Sequence, residues 1–148
     1  MNIKMYVSTQ EVQRICQELG IRDWTALTSN HVQLDEAEKI QKAVGSEALR
    51  ISPEAFKEGL EVELEHGLEF SDANVTNNHP ILTGMIVLAH LKEMLDYYLR
   101  LEVAEIEGDI LKAYQDGNFE KMAKKYQLLI AAKTKLAVHE QDSLSKGD

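Results

Sequence analysis

The chain has a single cysteine, Cys16, two prolines, one tryptophan, five tyrosines and three phenylalanines in 148 residues. A lone cysteine excludes a disulfide framework and points to a reducing compartment. So few prolines and aromatics argue against a sandwich of short strands separated by tight turns. Apolar runs are short. The longest, ILTGMIVLAHL from Ile81, falls well under the roughly 20 residues a helix needs to cross a bilayer. MNIKMYVS lacks the basic-then-apolar plan of a secretory signal, so a cytoplasmic chain is expected. Basic residues are also in deficit. The formal net charge of −9 argues against a broad nucleic-acid-binding face, which needs Lys and Arg to displace condensed counterions. There is no P-loop, no dinucleotide fingerprint and no G-x-S-x-G elbow. Nothing in these motifs names a reaction, and the chain reads as non-catalytic.

What is present is helical. Hydrophobic content of 44% and charged content of 28% are ordinary for a globular protein, and the length suits one domain. Ser8-Thr9-Gln10-Glu11 is a capping box opening EVQRICQEL, with Gly20 placed to close it. EAEKIQKAVG (36–45) forms a second helix. Between them, RDWTALTSNHVQ reads as a loop whose Trp24 plugs the core. Ser52-Pro53-Glu54 is a strong helix start. A polar linker (71–79) precedes a helix opening at Pro80, and the pattern then stays helical, with or without a bend, to Asp116-Gly117-Asn118. On the last helix Phe119, Met122, Ala123, Tyr126, Leu129, Ile130 and Ala137 form an apolar stripe. The fold expected is an all-α, single-domain helical bundle of five or six helices with a C-terminal helical hairpin. Small N-terminal helices (1–51), a motif-bearing helix pair (52–105) and a hairpin arm and tail (106–148) are its parts.

Helical projection isolates one anomaly. In the third helix Phe56, Leu60, Leu64 and Phe70 share the apolar side, and Glu58, Glu61, Glu65 and Glu69 the solvated one. Glu63 falls within the apolar stripe and His66 on its edge. A carboxylate there has to be paired, protonated or bound to a cation. The next helix offers His90, Glu93 and Tyr97 aligned with Ile86, so E-x-x-H (Glu63, His66) faces H-x-x-E (His90, Glu93). Three readings are open. The four groups are a buried polar network joined by Tyr97, the ligands of a divalent ion (Zn, Fe or Mn), or a catalytic acid/base set. A ferritin-type two-metal centre would need a second E-x-x-H and two more Glu, and Glu102 is the nearest spare acid. Cys16 reads as a buried structural thiol. Solvated or capping roles are expected for His31, His79 and His139.

GLEVELEHG, NVTNNHPILTGMIVLAHLKE and DYYLRLE together resemble an uncharacterised domain-of-unknown-function family of bacteria and their phages. Its words are V-E-L/M-E-H, then A/D-H-L-x-E, then D-Y-Y-x-x-L. The likeness spans roughly residues 52–105, with a looser echo in ELGIRDW. It implies no activity. It singles out Glu63, Glu65, His66, His90, Glu93, Asp96, Tyr97 and Tyr98. Among these, Tyr97, Glu65 and Asp96 are candidates for a polar network around the four principal groups. Members tend to carry Pro before D-Y-Y, where this chain has Leu95.

In the hairpin, Glu102, Glu105, Glu107 and Asp109 are expected to face Lys121, Lys124 and Lys125 across Gly117. Its apolar stripe either packs on the domain or meets a protein partner or a second copy. The polar tail SLSKGD frays when free, so an assembly is expected to hold it. The reading is a non-catalytic interaction or assembly protein, cytoplasmic or virion-associated, with no nucleic-acid or membrane partner. The alternative is a small metal-binding protein using Glu63, His66, His90 and Glu93.

Overall fold

The computed structural model describes residues 7–145. Those residues are all-α, with six helices and no strand: α1 (Thr9–Leu19), α2 (Leu34–Val44), α3 (Pro53–Glu69), α4 (Pro80–Glu93), α5 (Tyr97–Gln115) and α6 (Phe119–Ser145). The end of the SLSKGD tail lies outside the described residues. No described helix is long and apolar enough to cross a membrane. The helices gather into two compact units, one ending at Glu93 and one beginning at Met94.

Local chemistry sets the boundaries in the first unit. The Ser8 hydroxyl accepts the Glu11 N–H at 3.1 Å, while the Glu11 carboxylate turns to Arg14. Gly20 ends α1 in the left-handed conformation, with φ of 63°, where glycine carries no Cβ penalty. The Ser52 hydroxyl caps α3 by accepting the Ala55 N–H, with Pro53 in the first turn. Trp24 sits in a 3₁₀ turn (Trp24–Ala26) and is fully buried, its backbone N–H directed at the Cys16 sulfur at 3.5 Å. Both residues therefore fill the roles expected of them. Burial pushes the Cys16 thiol upward, which keeps it an inert, protonated core atom.

Helix α4 is the centre of this unit, packed against α1, α2 and α3. It comes close because residue 84 is glycine. A Cβ there would lie 2.8 Å from Val44 Cγ2, 2.9 Å from Ile40 Cγ2 and 3.3 Å from Phe56 Cζ. Phe56, Leu60 and Leu64 are fully buried on α3, each worth roughly 1.5–3 kcal/mol of transfer free energy. Phe70 departs from the expected stripe and is 51% exposed. It is the C-cap residue, with ψ of 61°, outside the helical range, so the helical projection no longer applies to it.

Of the two expectations for this stretch, a helix running on and a helix with a bend, the structure has a break. α4 stops at Glu93, and Met94, Leu95 and Asp96 form a turn before α5. Leu95 permits a helix but does not enforce one, and its side chain is exposed, with no burial to hold it in register. Tyr97 therefore does not continue the face of Ile86 and His90.

The second unit is the helical hairpin, and its first arm reaches back to Tyr97. Gly117 turns the chain at φ of 66°, and the Asn118 side chain accepts the Lys121 N–H to open α6. Ile106, Leu129 and Ala132 form its core, with Val103 and Ile110 packed on them. Of the expected cross-arm charges, Lys125 meets Asp109 at 2.7 Å. Lys133 meets Glu107 at 3.1 Å, whereas Lys124 pairs with Glu120 on its own helix. The expected stripe divides. Leu129 is buried, and Phe119, Tyr126 and Ile130 stand exposed.

Candidate functional site

Glu63 and His90 meet between α3 and α4. His90 Nε2 lies 3.6 Å from Glu63 Oε1, and the two side chains are 31% and 17% exposed respectively. The carboxylate that projection placed among apolar neighbours is thus half-buried and has an imidazole from the adjacent helix beside it. His66, Glu65 and Glu93 are exposed. Among the described residues no group of three or more His, Cys, Asp and Glu stands together as metal ligands would. Glu65 is reached by the Asn30 amide at 3.4 Å. Asp96 and Tyr97 belong to the second unit. There Asp96 accepts from Arg100 at 2.6 Å, which holds its carboxyl below the usual range. Tyr97 packs edge-on to Tyr98, with ring centroids 5.1 Å apart.

Beside Glu63 opens a cavity of about 250 Å³, lined by residues of α3, the following loop and α4. Glu63, His66 and Phe70 contribute from α3 and its end, Val75 from the loop, and Thr83 and Ile86 from α4. The loop wall is built by side-chain amides. Asn74 Nδ2 donates to the Gly67 carbonyl at 3.1 Å and to Asn78 Oδ1 at 2.8 Å, and the Thr76 hydroxyl donates to Asn74 Oδ1 at 3.1 Å. Asn77 and Asn78 both take the left-handed conformation, with φ of 49° and 56°, which asparagine tolerates better than most residues. Gly67 makes the approach feasible, because a Cβ there would collide with Asn78 Oδ1 and lie 2.9 Å from Asn74 Nδ2.

Thr83 is 2% exposed, and its hydroxyl has no hydrogen-bond partner among the described residues. At the opening of α4, His79 is buried. Its Nδ1 accepts the Leu82 N–H at 3.3 Å and its carbonyl accepts the Thr83 N–H at 2.9 Å. Burial pulls this imidazole below its ordinary value, consistent with a neutral ring acting as an acceptor. His79 thus fulfils the expected capping role.

Two structural carboxylates escaped helical projection. Glu61, assigned to the solvated face, accepts from Lys57 Nζ at 2.7 Å and the Val32 N–H at 3.0 Å, and lies 3.1 Å from His31 Nδ1. Burial opposes its ionisation, but these partners outweigh burial and hold its pKa down. Glu36 is 1% exposed and receives hydrogen bonds from the Arg22 backbone and guanidinium and from the Gln33 N–H. A Gln three residues before a Glu at a helix start was the available signal, a variant of the capping box.

The site lies in an all-α unit, with one acid–imidazole contact across two helices and a small cavity at its side. Residues 12–107 match a family described as "Protein of unknown function (DUF5661)", and the chain belongs to that family. The match reaches further toward the N-terminus than the motif words alone, taking in α1 from Val12 onward, α2 and Trp24. Comparison with curated proteins and with solved structures produced no match.

Proposed function

We propose that the chain is a non-catalytic interaction protein in which Glu63 and His90 tie α3 to α4, and in which the outer face of α6 meets a second copy. One observation carries the first part: His90 of α4 stands 3.6 Å from the Glu63 carboxylate of α3. No third His, Cys, Asp or Glu among the described residues joins it as a ligand set. A tie of this kind satisfies a half-buried carboxylate without a metal. Exposed Phe119, Tyr126 and Ile130 on α6 support the second part, since apolar side chains grouped on one helix face mark interaction surfaces.

The tie is tested by a double-mutant cycle on Glu63→Gln and His90→Gln, followed by thermal unfolding. A coupling of roughly 0.5–1 kcal/mol is expected for a partly exposed pair, and additive effects would reject the tie. Metal analysis of the untagged protein runs alongside it. Stoichiometric Zn, Fe or Mn that is lost in His66→Ala would overturn the metal-free reading. Light scattering tests the α6 face. A mass above the monomer, reduced by Tyr126→Glu and by Ile130→Glu, is expected; a strictly monomeric chain counts against it.

A further inference from the structure

We propose that the helical hairpin carries a two-armed docking face for a second copy of the chain. On it, α6 of one copy lies along α5 of the other, with both turns at the same end of a four-helix bundle. The proposal rests on the reading of α6 as a self-association surface, and extends it to α5 and to one arrangement.

Two rows of side chains build the face. On α5, Val103, Glu107, Ile110 and Tyr114 follow one another at steps of four, three and four residues, the spacing of one helix side. On α6, Ala123, Tyr126, Ile130, Lys133 and Ala137 keep the same alternation, with Phe119 one step before them. The rows lie on the same side of the hairpin, because Lys133 of one meets Glu107 of the other at 3.1 Å. Lys125 and Asp109, which also pair across the arms, belong to neither row. Val103 and Ile110 pack inward on Ile106, Leu129 and Ala132, whereas Tyr114, Phe119 and Tyr126 are each more than half exposed. The face is therefore aromatic near Gly117 and carries its charged pair further from the turn.

Area, core and charge select a second copy as the occupant. Three aromatic rings, each able to bury roughly 150–250 Å², give two facing copies together about 1,000 Å² to cover, the lower end for a specific interface. The hairpin's own core is thin, a cluster of Ile106, Leu129 and Ala132, and helices draw most of their stability from packed faces. A second hairpin on this face completes a four-helix bundle. Charge sets the arrangement. α5 carries four acids against two bases, and α6 five lysines against three acids. Laying α6 on the partner's α5 opposes arms of opposite net sign, and Lys133 meets the partner's Glu107 while Glu107 meets the partner's Lys133. Laying α6 on α6, about a two-fold axis at this pair, would set lysine on lysine and glutamate on glutamate. In the favoured arrangement the aromatic ends of both copies gather at the turns. The exposed Ala123 and Ala137 let the partner's helix come close.

The test uses the full-length, untagged protein in sedimentation equilibrium over a concentration series, with circular dichroism to confirm that each variant is helical. A monomer–dimer equilibrium is expected. Tyr114→Glu on α5 and Tyr126→Glu on α6 should each raise the dimer Kd at least tenfold, and Lys124→Gln, off the face, should leave it unchanged. Dipolar spectroscopy of a nitroxide attached through Asp116→Cys reports the arrangement, since Cys16 is buried. Helices pack 8–10 Å apart, so turns at the same end should place the two labels about 20 Å apart. Turns at opposite ends would separate them by at least the length of α5, roughly 28 Å at 1.5 Å per residue. A strictly monomeric native protein would overturn this proposal and the α6 reading together. A dimer weakened by Tyr126→Glu and not by Tyr114→Glu would overturn the two-armed face alone and leave the α6 reading standing. A dimer with distant labels would overturn the arrangement. The label distance, measured with the face itself intact, decides even where Tyr114→Glu fails to fold.

Discussion

The guanidinium of Arg22 grips the carboxylate of Glu36 with two parallel hydrogen bonds, Nε to Oε1 at 2.9 Å and Nη2 to Oε2 at 2.7 Å. Glu36 is buried at the start of α2, whereas the Arg22 side chain is 36% exposed. The asymmetry predicts unequal mutants. Arg22→Met strands a buried carboxylate and should cost about 2–3 kcal/mol, the range for lost hydrogen bonds to a charged group. Glu36→Gln keeps an acceptor for the Gln33 and Arg22 N–H groups and should cost less. Denaturant unfolding of both variants measures the order, and an equal or reversed order would show that the backbone donors of Arg22 and Gln33, rather than the guanidinium, hold the carboxylate.

Stability should fall as the solution is acidified, in two stages. Burial lowers the His79 pKa, so the unfolded chain takes up that proton at higher pH than the folded one. The contribution is complete above the ordinary histidine range and is lost as pH falls through the lowered folded value. For Glu36 burial raises the pKa, but Arg22 and the backbone donors outweigh it and the net direction is down. Its contribution is present above the ordinary glutamate value and fades as pH falls toward the folded one. Melting temperatures across an acid series should show the histidine stage first. His79→Asn, which keeps a capping acceptor at the start of α4, should flatten that stage and leave the carboxylate stage in place.

Gly84→Ala should destabilise the first unit by roughly 1–3 kcal/mol, the usual cost of overpacking a filled core. The added methyl would press on Ile40, Val44 and Phe56 at once. Alanine is the better helix former by about 1 kcal/mol, so a gain in stability would mean that α2 and α4 separate easily. Differential scanning calorimetry of the variant decides between these outcomes.

Thr83→Val should stabilise the protein or leave it unchanged, because it replaces an unpartnered buried hydroxyl with a methyl of similar shape. A rise in melting temperature of a few degrees corresponds to about 1 kcal/mol in a domain of this size. A clear loss of stability would show that the hydroxyl has a partner in solution.

The local signals in this sequence were reliable where the physics is local. Ser8, Ser52 and Gly20 act at the helix ends they mark, because a cap needs only a side-chain oxygen or a tolerated left-handed φ within one turn. Glu63 was legible for a related reason: a helix carries its period faithfully, so a carboxylate out of phase with its face stands out. The same projection failed at Phe70, where the helix ends, and at Glu61, which the loop around Val32 partly covers and hydrogen-bonds.

The sequence by itself determined an all-α chain, its capped helices, the buried Trp24 and Cys16, and the misplaced acid on α3. Tertiary structure decided which imidazole answers that acid, where the helix breaks between Glu93 and Tyr97, and that Arg22 closes on Glu36. It also decided that Gly84 and Gly67 are places of contact and that a cavity forms against Thr83. The division follows from range. Caps and periodicity are settled within a turn or two of chain, whereas ion pairs between helices, close backbone approach and enclosed space exist only once segments distant in sequence have packed.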